Sequence, residues 1–286
     1  QLEEAPEGEV PSSATGALWD ALPGPEEKVA EGPTIEVRVL GPVRIEGVDD
    51  AAFPVQHCRE LVAYLAFHRR GVEADSLMEA LWPGGAPNPN RLQKLVSRTR
   101  AACGSTAQGE PYLPRVGADK LYRIQAAVGT DLERFTTLVG EASSLPPDEA
   151  IPLLRAALDV VEGPPFTNLV TGWHWAFAEG IVAHAQVAVD EATTTLARLC
   201  LDQGDADGVR WAARKGLLAT PGGEIHYRHL LQAAAAADNA LEFEAIWRDL
   251  IRVVEADDGP GAYQWLEEET IALYERHSRR RLSATG

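Results

Sequence analysis

The hydrophobic period of this chain changes between residues 47 and 56, from that of strands to that of helices. Residues 35–47, IEVRVLGPVRIEG, alternate apolar and polar side chains on both sides of Gly41-Pro42, which is the pattern of two short strands joined by a turn. From Gln56 to Arg70 the apolar set Leu61, Val62, Leu65 and Ala66 follows helical spacing instead. Between them, residues 52–55, AFPV, are a candidate third strand. A short helix is expected from Ser76 to Trp82, behind a cap at Asp75 and ended by Pro83-Gly84. A third helix runs from a cap at Asn88 or Asn90 to about Cys103, with Gly104 as its C-cap. Residues 111–124, PYLPRVGADKLYRI, read as a hairpin: YLPRV, a turn at Gly117-Ala118-Asp119, then KLYRI.

Strand–strand–helix–helix–helix–hairpin is the element order of a winged helix. After it the pattern is helical throughout. Helices are expected at Asp131–Gly140, Pro147–Val161, Trp173–Asp202, Ala206–Ala219, Glu224–Ala237, Ala240–Ala256 and Tyr263–Arg281, with no strand signal. Helix pairs of about 35 residues point to a stacked helical-repeat array.

Composition sets outer bounds. Among 286 residues, 45% are hydrophobic and 24% charged, the balance of a globular chain. No apolar run is long enough to span a membrane, and no signal peptide is visible. Three scattered cysteines cannot form a disulfide framework and fit a reducing compartment. The chain opens at Gln1, so it reads as a piece of something longer. The net charge of −17 argues against a generic polyanion binder, but the charge is unevenly spread. Residues 1–34 hold 8 acids and 1 base and read as a solvated acidic linker without fixed structure, apart from the island ALWDAL. Residues 35–130 hold 12 bases against 10 acids, and residues 131–286 hold 25 acids against 13 bases. A mildly basic segment inside an acidic chain suggests different work for different parts.

The third helix carries the basic signal. Residues 88–103 contain four bases and no acid. On a helical wheel Leu92, Leu95, Val96, Thr99 and Cys103 share the packing face. Asn90, Arg91, Gln93, Lys94, Ser97, Arg98 and Arg100 occupy the rest. Arg and Lys can donate to guanine, Asn and Gln can pair with adenine, and the remaining cations hold phosphates. The same run also reads as a solvated helix face. Arg115 and Lys120 lie on the hairpin, where a wing would reach the DNA backbone or minor groove.

Signals for other chemistry are weak. No G-x-x-x-x-G-K-[ST] motif is present. His226 and His229 lack a third ligand at metal spacing and read as surface histidines. Cys58 has no base-and-acid set beside it. Neither catalytic residues, nor a metal, nor a cofactor, nor a small-molecule substrate is expected. Trp173, Trp175, Phe177, Trp211, Tyr227, Trp247 and Trp265 are expected mainly in the core of the helical half.

The motifs together resemble a known family. IEVRVLGPVRIEG, RELVAYLAFHRRG, DSLMEALWPG, the LVSRTRAACG run, GADKLYRI and TDLERFTTLV look like the winged helix of the Streptomyces antibiotic regulatory protein group. That helix typically ends in V-S-R-L-R-x-x-L-G, matched here by Val96, Ser97, Arg98, Arg100 and Gly104. Thr99 and Cys103 replace a usual Leu. The remainder is similar to the bacterial transcriptional activation domain, a helical array related to tetratricopeptide repeats. The matching residues are EGPPF (Glu162 to Phe166), the Trp173/Trp175–Glu179 stretch, LDQGDADGVRWAARKGLLATP (Leu201 to Pro221) and ETIALYERHSRR. The ARKGLLATP run and the ALYERHSRR ending look closest to large actinobacterial proteins that carry these domains behind membrane spans and, often, a LysM module.

The resemblance implies an α+β chain: an OmpR-type winged helix (35–128), then an all-α tetratricopeptide-like array (130–282). It implies a cytoplasmic DNA-binding transcriptional regulator, either free or as the soluble part of a longer membrane-anchored protein. DNA is the expected partner of the third helix, and a protein partner or self-association is expected through residues 131–282. A second reading stays open, a protein-interaction module of the same fold that no longer binds DNA.

Overall fold

The computed structural model describes residues 34–284 apart from 87, 170 and 260. The acidic stretch 1–33 with its ALWDAL island lies outside the described residues, as do the side chains of Arg280 and Arg281. Three strands form one small sheet. β1 (Ile35–Arg38) is central, antiparallel to β2 (Arg44–Glu46) and parallel to β3 (Val128–Thr130). The first two are the alternating pair in the sequence. The segment proposed as a further strand, 52–55, is not one. Asp50–Ala52 make a single 3₁₀ turn, and Phe53 enters the core at 4% exposure. Pro54 has no N–H to give a ladder there.

Three helices follow: α1 (Gln56–Phe67), α2 (Ala74–Leu81) and α3 (Pro89–Cys103). α1 stops three residues short of the expected Arg70, and Gly71 turns the chain at φ 95°. The 111–124 hairpin is only partly realised. Its turn forms, with the Lys120 N–H donating to the Gly117 carbonyl at 3.1 Å and Lys120 itself at φ 61°. Its arms are held by the single bridges Ser105–Pro111 and Val72–Tyr122, and by the Gln125 N–H on the Tyr112 carbonyl at 3.0 Å. Pro111 and Pro114 lack the N–H groups that a regular ladder needs.

The rest is helical: α4 (Asp131–Ala142), α5 (Pro147–Asp159), α6 (His174–Ala178), α7 (Ile181–Asp202), α8 (Ala206–Ala219), α9 (Glu224–Ala236), α10 (Ala240–Asp258) and α11 (Glu268–Ala284). The long helix expected at 173–202 is broken into α6 and α7 at Gly180, which adopts φ 74°, and it starts one residue late because Trp173 is left-handed at φ 64°. α11 begins later than the expected Tyr263, after a 3₁₀ turn at Ala262–Trp265. Side-chain caps fix several starts: Thr130 accepts the Glu133 N–H at 3.0 Å, Asp205 that of Gly208 at 2.8 Å and Asn239 that of Glu242 at 3.1 Å.

One hydrophobic core runs without a break from Ile35 in β1 to Ala233 in α9. One buried carboxylate, Asp131, and a partly exposed cluster of Arg38, Arg44 and Glu162 tie the sheet to the helices. Asp131, the first residue of α4, accepts the N–H groups of Val39 and Leu40 at 2.8 and 3.1 Å. Arg38 reaches Glu162 at 2.9 Å, and Arg44 meets the same carboxylate at 2.6 Å. His226 and His229, expected at the surface, are buried at 0% and 8% exposure. Gly216 in α8 clears the space for the His226 ring, and Asp190 accepts from its Nε2 at 2.8 Å. The aromatic expectation divides: Trp173 and Trp175 are core, whereas Phe177 and Trp265 stand 59% and 74% exposed.

Candidate nucleic-acid interface

α3 is built by strong local signals. Asn88 caps it, its side chain accepting the Arg91 N–H at 3.1 Å, and Pro89 occupies the first turn. Gly104 ends it at φ 72°. Leu92, Leu95, Val96, Thr99 and Cys103 are buried, so the packing face is the one the wheel gave. The two unusual residues on that face are accommodated. The Thr99 hydroxyl donates to the Leu95 carbonyl at 3.0 Å, which leaves no buried polar atom unsatisfied there. Burial pushes the Cys103 thiol up to about 12, with the neighbouring Cys58 adding to the shift, so it packs as an inert small side chain.

The remaining candidates lie outward. Asn90, Arg91, Gln93, Lys94, Ser97 and Arg98 are all exposed, and so are Arg115 and Lys120 on the 111–124 loop. Among the described residues, no acid lies within 4.0 Å of Arg91, Lys94, Arg98, Arg115 or Lys120. The face is therefore polar, cationic and not neutralised by the acidic helical half.

Two arginines are more constrained than the sequence suggested. Arg91 lies over the Trp82 ring, 4.1 Å from its centroid. Arg100 turns away from the outward strip. Its Nε donates to the Leu113 carbonyl at 2.7 Å and its Nη2 to the Pro114 carbonyl at 3.1 Å. It fastens the start of the 111–124 loop to the last turns of α3, next to Arg115. Arg123, across the loop, pairs with Asp119 at 2.6 Å and donates to the Arg70 carbonyl at 3.2 Å. That ion pair holds the Asp119 carboxyl below its ordinary range. Trp82 as the seat of Arg91 was not read from the sequence; the only signal is an indole at the end of α2, six residues before the Asn88 cap.

Among the described residues no three His, Cys, Asp or Glu side chains are grouped to hold a metal ion, and no helix is long and apolar enough to cross a membrane.

The fold matches that of a solved structure, Mycobacterium tuberculosis EmbR in complex with low affinity phosphopeptide, with a TM-score of 0.61 and 24% sequence identity. The match covers 87% of this chain and 66% of that one, so the chain spans just under two thirds of its neighbour's length. No family model matches, and no curated protein matches. What the likeness shows is a shared helix-rich fold with a small three-stranded sheet.

Proposed function

We propose that the chain is a DNA-binding transcriptional regulator. Residues 35–128 act as a winged helix, with α3 in the major groove and the 111–124 loop as a wing on the backbone. Residues 130–282 act as a tetratricopeptide-like array for partner contact or self-association. One observation carries this reading: Asn90, Arg91, Gln93, Lys94, Ser97 and Arg98 form an exposed face on one helix, its cations without an acidic partner among the described residues. Amides beside cations are the donor set that reads base edges while phosphates are held. Arg100 belongs to this scheme as the anchor of the wing rather than as a base reader.

The array contributes protein contact and not DNA contact, because 25 acids against 13 bases repel phosphate within a Debye length of about 8 Å. EmbR was solved with a phosphopeptide; a protein ligand for this chain is inferred here from charge and from the exposed Phe177 and Trp265.

A second reading, an interaction module that binds no DNA, is favoured by the engagement of Arg100 and Arg123 within the fold. Selection from a randomised duplex pool with the full chain decides between them. Enrichment of a short consensus is expected. A pool that stays random after repeated rounds would leave the interaction module.

A further inference from the structure

Glu60 in α1 is fully buried, and its two oxygens face different parts of the molecule. Oε1 accepts the Trp173 N–H at 2.6 Å. Oε2 lies 2.7 Å from His57 Nδ1. The backbone around Trp173 is shaped to this carboxylate: Trp173 is left-handed at φ 64°, and Gly172 comes so close that a Cβ there would stand 2.6 Å from Glu60 Oε2. On the other side, the His57 ring meets Trp82 edge-on, 5.6 Å between centroids at 72°. The same Trp82 ring holds the Arg91 guanidinium at 4.1 Å, on the first turn of α3.

Each contact orients the next. The carboxylate, 2.7 Å from Nδ1, fixes the plane of the imidazole. The imidazole edge fixes the indole. The indole face selects one direction for a guanidinium that would otherwise sample many rotamers in water.

We propose that Glu60 is a positioning residue for Arg91. It ties the seating of residues 172–175, which lead into α6 and α7, to the direction in which Arg91 leaves α3. The consequence for DNA rests on the function proposed above; the link itself does not. A shift of α6 against α1 moves the Trp173 N–H away from Glu60, and the change reaches the helix that faces DNA without any alteration of α3's own sequence.

The test compares the full wild-type chain with Glu60→Gln, Trp82→Leu, Arg91→Ala and the pair Glu60→Gln/Arg91→Ala. Two quantities are measured: amide hydrogen exchange at residues 90–93 without DNA, and affinity for the duplex enriched from the pool. Glu60→Gln and Trp82→Leu are expected to speed exchange at 90–93. Each should weaken binding about two- to fivefold, the worth of an exposed cation–π contact. In the Arg91→Ala background Glu60→Gln should cost no further affinity, although it still lowers Tm. Equal affinity losses in both backgrounds would reduce Glu60 to a stability role and overturn the proposal. Unchanged exchange at 90–93 would overturn it as well, with Trp82→Leu giving that reading if Glu60→Gln does not fold. Faster exchange in a chain that binds no duplex would uphold the link and sink the DNA reading alone.

Discussion

Arg100 on α3 donates to the carbonyl of Leu113 at 2.7 Å, and through that bond the loop after α3 is tied to the helix. A charged donor on two carbonyls replaces the strand ladder that Pro111 and Pro114 forbid. Arg100→Ala leaves both carbonyls without that donor and is expected to lower stability by about 1–2 kcal/mol. Urea unfolding measures the loss, and affinity should drop evenly across DNA sequences, since what loosens is the loop. A drop confined to one base position would mean that Arg100 reads a base.

Base readers and backbone holders separate by their signatures. Lys94→Ala or Arg98→Ala should relax specificity at one position, with a loss of about 1–3 kcal/mol for the preferred base. Lys120→Ala should weaken all sequences alike and reduce the salt slope by about one unit. Competition binding against single-base variants of the enriched duplex resolves the two. Uniform losses for all three changes would show that no base is read.

Asp131 gives a pH dependence. Burial pushes its carboxyl up to about 6 from the ordinary 3.8, against the N–H groups of Val39 and Leu40 and the Arg38 charge. The folded state thus holds this proton more tightly than the unfolded chain. Its contribution to stability is largest below pH 4 and declines as the pH rises to about 6. The advantage of wild type over Asp131→Asn should therefore shrink by about 2–3 kcal/mol across that window. Urea unfolding of both chains at several pH values measures it. An advantage that grows with pH would show that the hydrogen bonds and Arg38 outweigh burial.

Gly216→Ala tests the buried histidine. In an exposed helix this change gains about 1 kcal/mol. Here the new methyl group would collide with the His226 ring, which Asp190 holds by its Nε2. The expected result is a loss of about 1–3 kcal/mol in thermal or urea unfolding. A gain would mean that the ring has room to move.

What was legible in the sequence was what neighbouring residues decide. The Asn88 cap, Pro89, the packing face and Gly104 all lie within one stretch, and α3 forms where they put it. What was not legible depends on partners far along the chain. β3 is only Val128–Thr130, and it pairs in parallel with β1 more than 90 residues earlier. Glu60 looks like an ordinary helix acid until Trp173 arrives 113 residues later. His226 reads as polar surface because nothing local shows that Gly216 has emptied a space for it. Arg100 shares the spacing of a base reader, and only the folded loop reveals that two carbonyls claim it.

If the face of α3 meets DNA, binding must weaken with salt in proportion to the phosphates that its cations hold. Five cations are exposed there and on the loop: Arg91, Lys94, Arg98, Arg115 and Lys120. If one reads a base and the others hold phosphates, log K against log salt for the enriched duplex should fall with a slope of about −3 to −4. Lys94→Ala/Arg98→Ala should flatten that slope and abolish the preference for the enriched sequence. A chain that binds no duplex even at about 50 mM salt, or whose slope the double change leaves untouched, would show that α3 does not meet DNA.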